Sequence, residues 1–225
     1  MRKHLYILAE GELDELLYER VCERVTRQEF ERSTEFSLRL GSNWKTAMAG
    51  ARLLMSRFKY WAQPQDVGVI IAVDNDRSPG HPGGKPAPRT LPKQDLRKPP
   101  RYSELVKIVE DALGKERISW PIDVALAVPV EMIESWLLTL LDPSCAESLP
   151  LFAEASQATA RAYYQGNPPP QLKDLRKADQ RQRGISEMEH FWLAAEQDLE
   201  AAAKASPSFA MFVKELQAWR KEEDQ

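Results

Sequence analysis

The stretch that decides the fold is residues 67 to 76, VGVIIAVDND, an apolar run that ends in two carboxylates with one asparagine between them. Its first seven residues are rich in β-branched side chains, which predicts a strand at the centre of a parallel sheet. The Asp-Asn-Asp that follows has two explanations. It is either a turn, in which such side chains hydrogen-bond to the nearby backbone, or a pair of metal ligands.

Composition and charge exclude several classes of protein. The chain has 225 residues, of which 43% are hydrophobic and 29% charged, values typical of a soluble globular protein. A net charge of -3 provides no general attraction to nucleic acid, so any such binding requires a local basic patch. Cys22 and Cys145 lack metal-binding or disulfide spacing and are predicted to be reduced, buried and structural. No segment has the pattern of a signal peptide or the length of a membrane span, and we predict a cytoplasmic protein.

Strand and helix patterns alternate along the first part of the chain. Strands are predicted at residues 4–9, 35–40, 67–73 and 123–128, and helices at 13–29, 44–62, 102–114 and from Pro129. This order predicts an α/β fold, with a mainly parallel sheet covered by helices. From residue 146 the pattern is helical only, with an interruption at Pro207. We therefore predict a catalytic domain at 1–145 and a helical C-terminal extension at 146–225.

Acidic side chains follow three of the four predicted strands. Because ligands of open parallel sheets bind beyond the carboxyl ends of the strands, these acids are candidate site residues. They are Glu10 and Asp14 after the first strand, Asp74 and Asp76 after the third, and Glu131 and Glu134 after the fourth. So many carboxylates repel one another unless a cation lies among them. Hard oxygen ligands select Mg²⁺ or Mn²⁺, and such a site suits phosphoryl or phosphodiester chemistry.

Each of these acids also has a purely structural explanation. Glu10 and Gly11 could simply end a strand and form a turn, and Asp14 and Glu131 could be first-turn acids that complement a helix dipole. Glu134 differs, because it lies within MIESWLLTLL, where a carboxylate is costly unless it is paired or bound to a metal. The joint occurrence of all these acids at strand ends favours the functional explanation.

Three of these motifs together resemble a Toprim domain. They are Glu10-Gly11 followed by Asp14, the DND of residues 74–76, and PVEMIESWLL at 129–138. Toprim is the catalytic fold shared by topoisomerases, DnaG-type primases, recombination-mediator proteins and the OLD family of nucleases. The segments EGELDELL and ESWLL, with SPSFAMFVKEL at 206–216, are most similar to the small stand-alone Toprim proteins of bacterial defence islands.

The resemblance implies a Toprim-type sheet and a metal-dependent nuclease site. Glu10 would act as general base or metal ligand, and Asp74 and Asp76 would be metal ligands. Asp14, Glu131 and Glu134 would complete a second metal site. We see no ATPase domain of the kind that many OLD-type proteins carry, so a separate ATPase or another defence-system protein is an expected partner, unless none is needed. A homodimer is a further expectation.

A basic segment rich in proline and glycine, residues 77–101, leaves directly from the predicted metal site. Loops of this length within a compact domain are usually functional or disordered. It is either a mobile basic lid that holds a nucleic-acid backbone over the metals or a solvated insertion. The candidate nucleic-acid-binding residues are Lys85, Arg89, Lys93, Arg97, Lys98 and Arg101.

The function predicted from these patterns is a Mg²⁺- or Mn²⁺-dependent phosphodiesterase that cuts DNA or RNA, with a role in anti-phage defence as its setting. Two alternatives remain open. One is a Toprim-derived protein that binds nucleic acid or regulates an ATPase without cutting, and the other is a nucleotide phosphohydrolase.

Overall fold

The computed structural model describes residues 3–33, 44–59, 67–75, 78–80, 97–130, 136, 139–140, 147 and 199–219. The chain divides into two compact units. Unit 1 comprises residues 1–73, 100–127 and 212–225, and unit 2 comprises residues 74–99 and 128–211. The domain boundary predicted between 145 and 146 falls outside the described residues and stays a prediction.

The described strands and helices alternate along unit 1. The strands are β1 (Lys3–Leu8), β2 (Phe30–Arg32), β3 (Val67–Ala72) and β4 (Asp123–Ala127). The helices among the described residues are α1 (Glu12–Thr26), α2 (Trp44–Phe58), α3 (Arg101–Leu113), α4 (Leu199–Ala205) and α5 (Pro207–Gln217), with a 3-10 turn at Arg117–Ser119. The predicted α/β class, with a parallel sheet, flanking helices and C-terminal helices, is confirmed.

The four described strands form one sheet in the order β2-β1-β3-β4, and every neighbouring pair is parallel. Ile70 on β3 pairs with Ile7 on β1 and with Ala125 on β4. All six residues of β3 are buried, as predicted from its continuous apolar run. Strand β3 is therefore central in the sheet, and Asp74 follows its carboxyl end.

The second described strand, β2, lies where the sequence pattern predicted none. Helix α1 ends at Thr26, and Arg27 takes a left-handed conformation with φ 58° while its N–H donates to the carbonyl of Glu23 over 2.9 Å. This cap turns the chain within the range predicted to be helical, and β2 follows at Phe30–Arg32 beside β1. The strand predicted at 35–40 lies outside the described residues.

Glycine and proline set the ends of two other helices. Helix α3 ends before Gly114, whose φ of 93° favours glycine, as predicted. Pro207, predicted as an interruption, is the first residue of α5, and only Ser206 lies between it and the end of α4. Proline suits that position because a first-turn residue needs no N–H donor within the helix.

A buried ion pair of unit 1 lies at the amino ends of two strands. Lys3 Nζ lies 2.8 Å from Asp123 Oδ2, and their side chains are only 6% and 12% exposed. This ion pair joins β1 to β4 at their amino ends, opposite the edge where the acidic segments begin.

Cys22 is a buried free thiol, as predicted, and burial raises its pKa well above the usual value. Cys145 lies outside the described residues.

The C-terminal Trp219 packs directly on the central strand at Gly68. A β-carbon at Gly68 would lie 2.6 Å from Trp219 Cζ3 and 2.9 Å from Cη2. The indole is 4% exposed, and Phe30 meets it edge to face at 5.9 Å between ring centroids. Glycine at the second position of β3 is thus explained by the close approach of a ring.

We expect Gly68→Ala to lower the free energy of unfolding by about 1 to 3 kcal/mol, because a methyl group has no room against a buried ring. Urea unfolding followed by circular dichroism measures the change. The loss should shrink in a Trp219→Phe background, since phenylalanine lacks the two ring atoms that crowd residue 68. An equal loss of stability in both backgrounds would mean that the alanine destabilises the strand itself and that contact with the ring at residue 219 is not the cause.

Candidate functional site

The edge of the sheet at which β1, β3 and β4 end is the place where the acidic segments begin. Because the three strands are parallel, their carboxyl ends lie at the same edge. The pairing continues one residue past β3, where the Val73 N–H donates to the Ala127 carbonyl over 2.9 Å. Glu10 follows the last residue of β1 by two positions, and Asp74 follows the last residue of β3 by two.

The first acidic segment contains Glu10 and Asp14 on either side of Gly11. Glu10 is exposed and Asp14 is half-buried. Gly11 is the N-cap residue of α1, and it makes no side-chain capping bond. A β-carbon at Gly11 would lie 3.2 Å from Asp14 Oδ2, so the Asp14 carboxylate folds back beside the start of α1. The position suits a negative charge because the helix N-terminus carries partial positive charge.

The second acidic segment, in unit 2, begins with Asp74 and turns at Asn75. The Ser78 N–H donates to the Asn75 carbonyl over 2.8 Å, and Asn75 Nδ2 donates to the Ser78 carbonyl over 3.3 Å. The Asn75 N–H donates to the Pro129 carbonyl over 3.0 Å. Asn75 therefore forms the turn and fixes the backbone beside Asp74, which is itself half-buried. The turn explanation therefore holds for Asn75.

Two buried oxygen atoms of this turn have no hydrogen-bond partner among the described residues. They are Asn75 Oδ1 and Ser78 Oγ, on residues 6% and 1% exposed. Burying such an oxygen costs folding free energy unless a ligand or another polar group forms a hydrogen bond with it. They increase the number of oxygen donors next to Asp74.

Half of the predicted site lies beyond what the structure describes. Asp76, Glu131 and Glu134, and the basic residues Lys85, Arg89 and Lys93, fall outside the described residues. Among the described residues, no three His, Cys, Asp or Glu side chains come together in a group able to hold a metal. The predicted ligands Glu10, Asp14 and Asp74 therefore do not make a metal site by themselves.

The three described basic candidates differ in how accessible they are. Arg97 is exposed and Lys98 is half-buried. Arg101 is only 7% exposed, and its guanidinium lies 4.9 Å from the centroid of the Trp44 ring. Trp44 in turn donates from Nε1 to Glu104 Oε2 over 3.1 Å, which joins α2 to α3. Arg101 is part of this packing, which makes it the least available of the three described candidates to a phosphate.

A second polar site, which the sequence patterns did not indicate, lies in unit 1 at the outer edge of β4. Glu215 on α5 accepts hydrogen bonds from the Leu126 N–H at 2.5 Å and from the Tyr102 hydroxyl at 2.8 Å. Burial raises the pKa of the Glu215 carboxyl, although both hydrogen bonds oppose the shift. Burial and the nearby Glu215 likewise raise the pKa of the Tyr102 hydroxyl.

Arg117 also binds a backbone group at the outer edge of β4. Its Nη2 donates to the carbonyls of Val124 at 2.7 Å and Glu215 at 3.1 Å, and its guanidinium lies 5.5 Å from the centroid of the Trp120 ring. Together Glu215 and Arg117 satisfy backbone groups of β4 that would otherwise be open to pairing with another chain. A cavity of about 200 Å³ lies beside them, between α3, the 3-10 turn, β4 and α5.

A buried carboxylate in unit 2 holds the start of α5. Glu147 is 0% exposed and accepts hydrogen bonds from the Ser206 hydroxyl at 2.6 Å, from the Ser208 hydroxyl, and from the Ser208 N–H at 3.1 Å. Trp136 Nε1 donates to Ser208 Oγ over 2.8 Å. The whole group serves to cap a helix, a structural role that needs no ligand.

No match to this chain was found among protein-family models, curated protein sequences or solved structures. Within the part of the chain that the structure describes, none of the helices has both the length and the apolar character needed to span a membrane.

Proposed function

We propose that the protein is a Mg²⁺- or Mn²⁺-dependent phosphodiesterase that acts on DNA or RNA. One observation carries the proposal: β1 and β3 are parallel neighbours, and each leads within two residues into a segment that carries carboxylates. In open parallel sheets this edge is where ligands bind. The resemblance to Toprim domains, based on Glu10, Asp14 and the DND of residues 74–76, supports the same site.

The donor atoms fit a hard divalent cation. Glu10 is exposed and Asp14 and Asp74 are half-buried, positions that suit ligands of an ion that keeps part of its water shell. The buried Asn75 Oδ1 adds an oxygen that has no hydrogen-bond partner among the described residues. Carboxylate and amide oxygens, with no thiol or imidazole in the proposed set, favour Mg²⁺ or Mn²⁺ over zinc.

In this proposal the metal is held by Glu10, Asp14, Asp74, Asp76, Glu131 and Glu134. A divalent ion bound there would supply an activated water and would neutralise charge on the leaving oxygen. The chain's own contribution is to hold its carboxylates in place before a substrate arrives. The turn at Asn75 fixes Asp74, and the absence of a side chain at Gly11 leaves room for Asp14.

The basic loop supplies the contact with substrate in this proposal. Exposed cations such as Arg97 would bind the phosphate backbone without reading its sequence. A role in anti-phage defence and a separate ATPase partner belong to the same proposal and rest on the resemblance alone. A cytoplasmic location is proposed from the sequence pattern.

Incubating the purified protein with plasmid, single-stranded DNA and transfer RNA tests this proposal. We expect cleavage of at least one substrate in Mg²⁺ or Mn²⁺ and none in EDTA. Binding without cleavage in either metal would instead support the non-cutting, regulatory alternative. Release of phosphate from nucleotides, with all three polymers intact, would support the phosphohydrolase alternative. Cleavage that continues in EDTA would refute the metal site.

A further inference from the structure

We propose that Ser78 Oγ and Asn75 Oδ1, in the turn after β3, are direct ligands of the divalent cation. This inference rests on the proposed function, because the cation is the one that the carboxylates of the proposed phosphodiesterase site would hold. It goes beyond that site by adding two neutral oxygen ligands, neither of which belongs to the acidic set that the resemblance implies. Both residues lie in unit 2, as does Asp74.

The two oxygens are deeply buried in a turn whose backbone is otherwise paired. Ser78 is 1% exposed and Asn75 is 6% exposed, and neither oxygen has a hydrogen-bond partner among the described residues. The N–H groups of both residues do have partners, since Ser78 donates to Asn75 and Asn75 donates to Pro129. Leaving a buried polar atom unpaired costs folding free energy. In this turn that cost falls on two side-chain oxygens, the atoms that a cation would bind.

The side-chain amide of Asn75 is held in one orientation. Its Nδ2 donates to the Ser78 carbonyl over 3.3 Å. The opposite orientation would place the amide oxygen against that carbonyl oxygen, and two acceptors cannot form a hydrogen bond with each other. Oδ1 is therefore directed away from the Ser78 carbonyl. The turn itself fixes the direction of this oxygen, so little ordering remains to be done when an ion binds.

The chemistry of these two oxygens fits a hard divalent cation. Such ions bind neutral carbonyl and hydroxyl oxygens together with carboxylates. Asp74, directly before Asn75 in the chain, supplies negative charge next to the turn. Neutral oxygens add ligands without adding to the repulsion between carboxylates. Bulk water does not reach oxygens buried to this degree, so an ion that binds them gives up water on that side and contacts them directly.

Ser78→Ala separates a ligand from a structural hydroxyl by the sign of its effects. We expect its melting temperature in EDTA to equal or exceed that of wild type, because the change removes a buried oxygen that has no partner. We also expect its dissociation constant for Mg²⁺, measured by calorimetry, to rise at least about tenfold, the typical cost of disturbing a metal site. The increase in melting temperature that MgCl₂ produces should shrink accordingly.

Ser206→Ala is the matched control, because it removes another buried hydroxyl of unit 2. Ser206 is 0% exposed, and its hydroxyl donates to Glu147 and accepts from the Phe209 N–H. This variant should melt at a lower temperature than wild type with and without Mg²⁺, and its Mg²⁺ affinity should be unchanged. The two serine variants are thus expected to differ in both stability and metal binding.

Ser78→Cys tests direct contact by changing the ligand atom. A cysteine sulfur prefers soft ions to hard ones. We therefore expect this variant to lose Mg²⁺ affinity as Ser78→Ala does, and to bind Cd²⁺ at least about tenfold more tightly than Ser78→Ala does. Cys22 and Cys145 are present in both variants, so the comparison cancels any Cd²⁺ that they bind.

Thermal melts of wild type and Asp74→Asn in MgCl₂ and MnCl₂ distinguish failure of this inference from failure of the proposed function. A wild-type chain that neither metal stabilises would overturn both. Stabilisation that Asp74→Asn loses and Ser78→Ala keeps would overturn the inference alone. So would a lower melting temperature of Ser78→Ala in EDTA with unchanged Mg²⁺ affinity, which would mean that the hydroxyl is bonded within the protein. The absence of a Cd²⁺ gain in Ser78→Cys would also overturn direct contact.

Discussion

Asp74→Asn is expected to lower the rate of phosphodiester cleavage in Mg²⁺ by at least about a hundredfold while the chain stays folded. Losing a residue that merely supports a metal ligand typically costs 10- to 100-fold in affinity or activity, so losing a ligand should cost at least that much. The change is nearly isosteric, and it leaves in place the hydrogen bonds that Asn75 and Ser78 make in the turn. Asp76→Asn should behave alike, although Asp76 lies outside the described residues.

The melting temperature in EDTA separates a ligand from a structural residue. Removing one charge from a group of acids relieves repulsion, so Asp74→Asn should melt at the same or a higher temperature than wild type without metal. It should also lose most of the stabilisation that added Mg²⁺ gives. Asp111→Asn, which removes an exposed charge from α3, is the matched control and should change neither quantity. Cooperative loss of structure in Asp74→Asn, with cleavage retained, would favour a purely structural role for Asp74.

The parts of the fold that the sequence predicts well are those set by local patterns. Strand β3 is a continuous apolar run, and helix α3 ends before Gly114, so each carries its own signal. Strand β2 has only three residues, too short for an alternating pattern, and it follows a helix that ends at Arg27 without a glycine. Its position depends on pairing with β1, a contact that no local pattern contains.

The side-chain arrangements that the sequence patterns missed join distant segments. Glu215 meets Leu126 across 89 positions in the chain, and only the folded sheet brings them together. One signal was nevertheless present. Glu215 lies next to the buried Leu216 and three residues after the buried Phe212, where a carboxylate is costly unless it is paired. The same argument that drew attention to Glu134 therefore applies to Glu215, and Gly68 within β3 likewise signals the close approach of another group.

Glu147→Ala is expected to lower the free energy of unfolding by roughly 2 to 4 kcal/mol, the combined cost of a lost helix cap and of buried donors left without an acceptor. Glu147 accepts hydrogen bonds from the hydroxyl of Ser206, which precedes α5, and from the hydroxyl of Ser208, in its first turn. The chain places 59 positions between Glu147 and Ser206. Glu147 also accepts the Ser208 N–H, one of the first-turn donors that has no partner within the helix. Urea unfolding at neutral pH measures the loss.

A graded set of variants tests whether this loss comes from the hydrogen bonds. Glu147→Gln keeps the shape and one acceptor oxygen, so its stability should fall between those of wild type and Glu147→Ala. The exposed Glu200 on α4, which pairs with Lys204 at 2.7 Å, is the matched control, and Glu200→Ala should leave the unfolding midpoint nearly unchanged. Because the capping group contains none of the proposed metal ligands, all three variants should keep cleavage activity at temperatures where they are folded. Equal losses in Glu147→Gln and Glu147→Ala would mean that the carboxylate's charge near the start of α5, rather than the number of its hydrogen bonds, holds the helix in place.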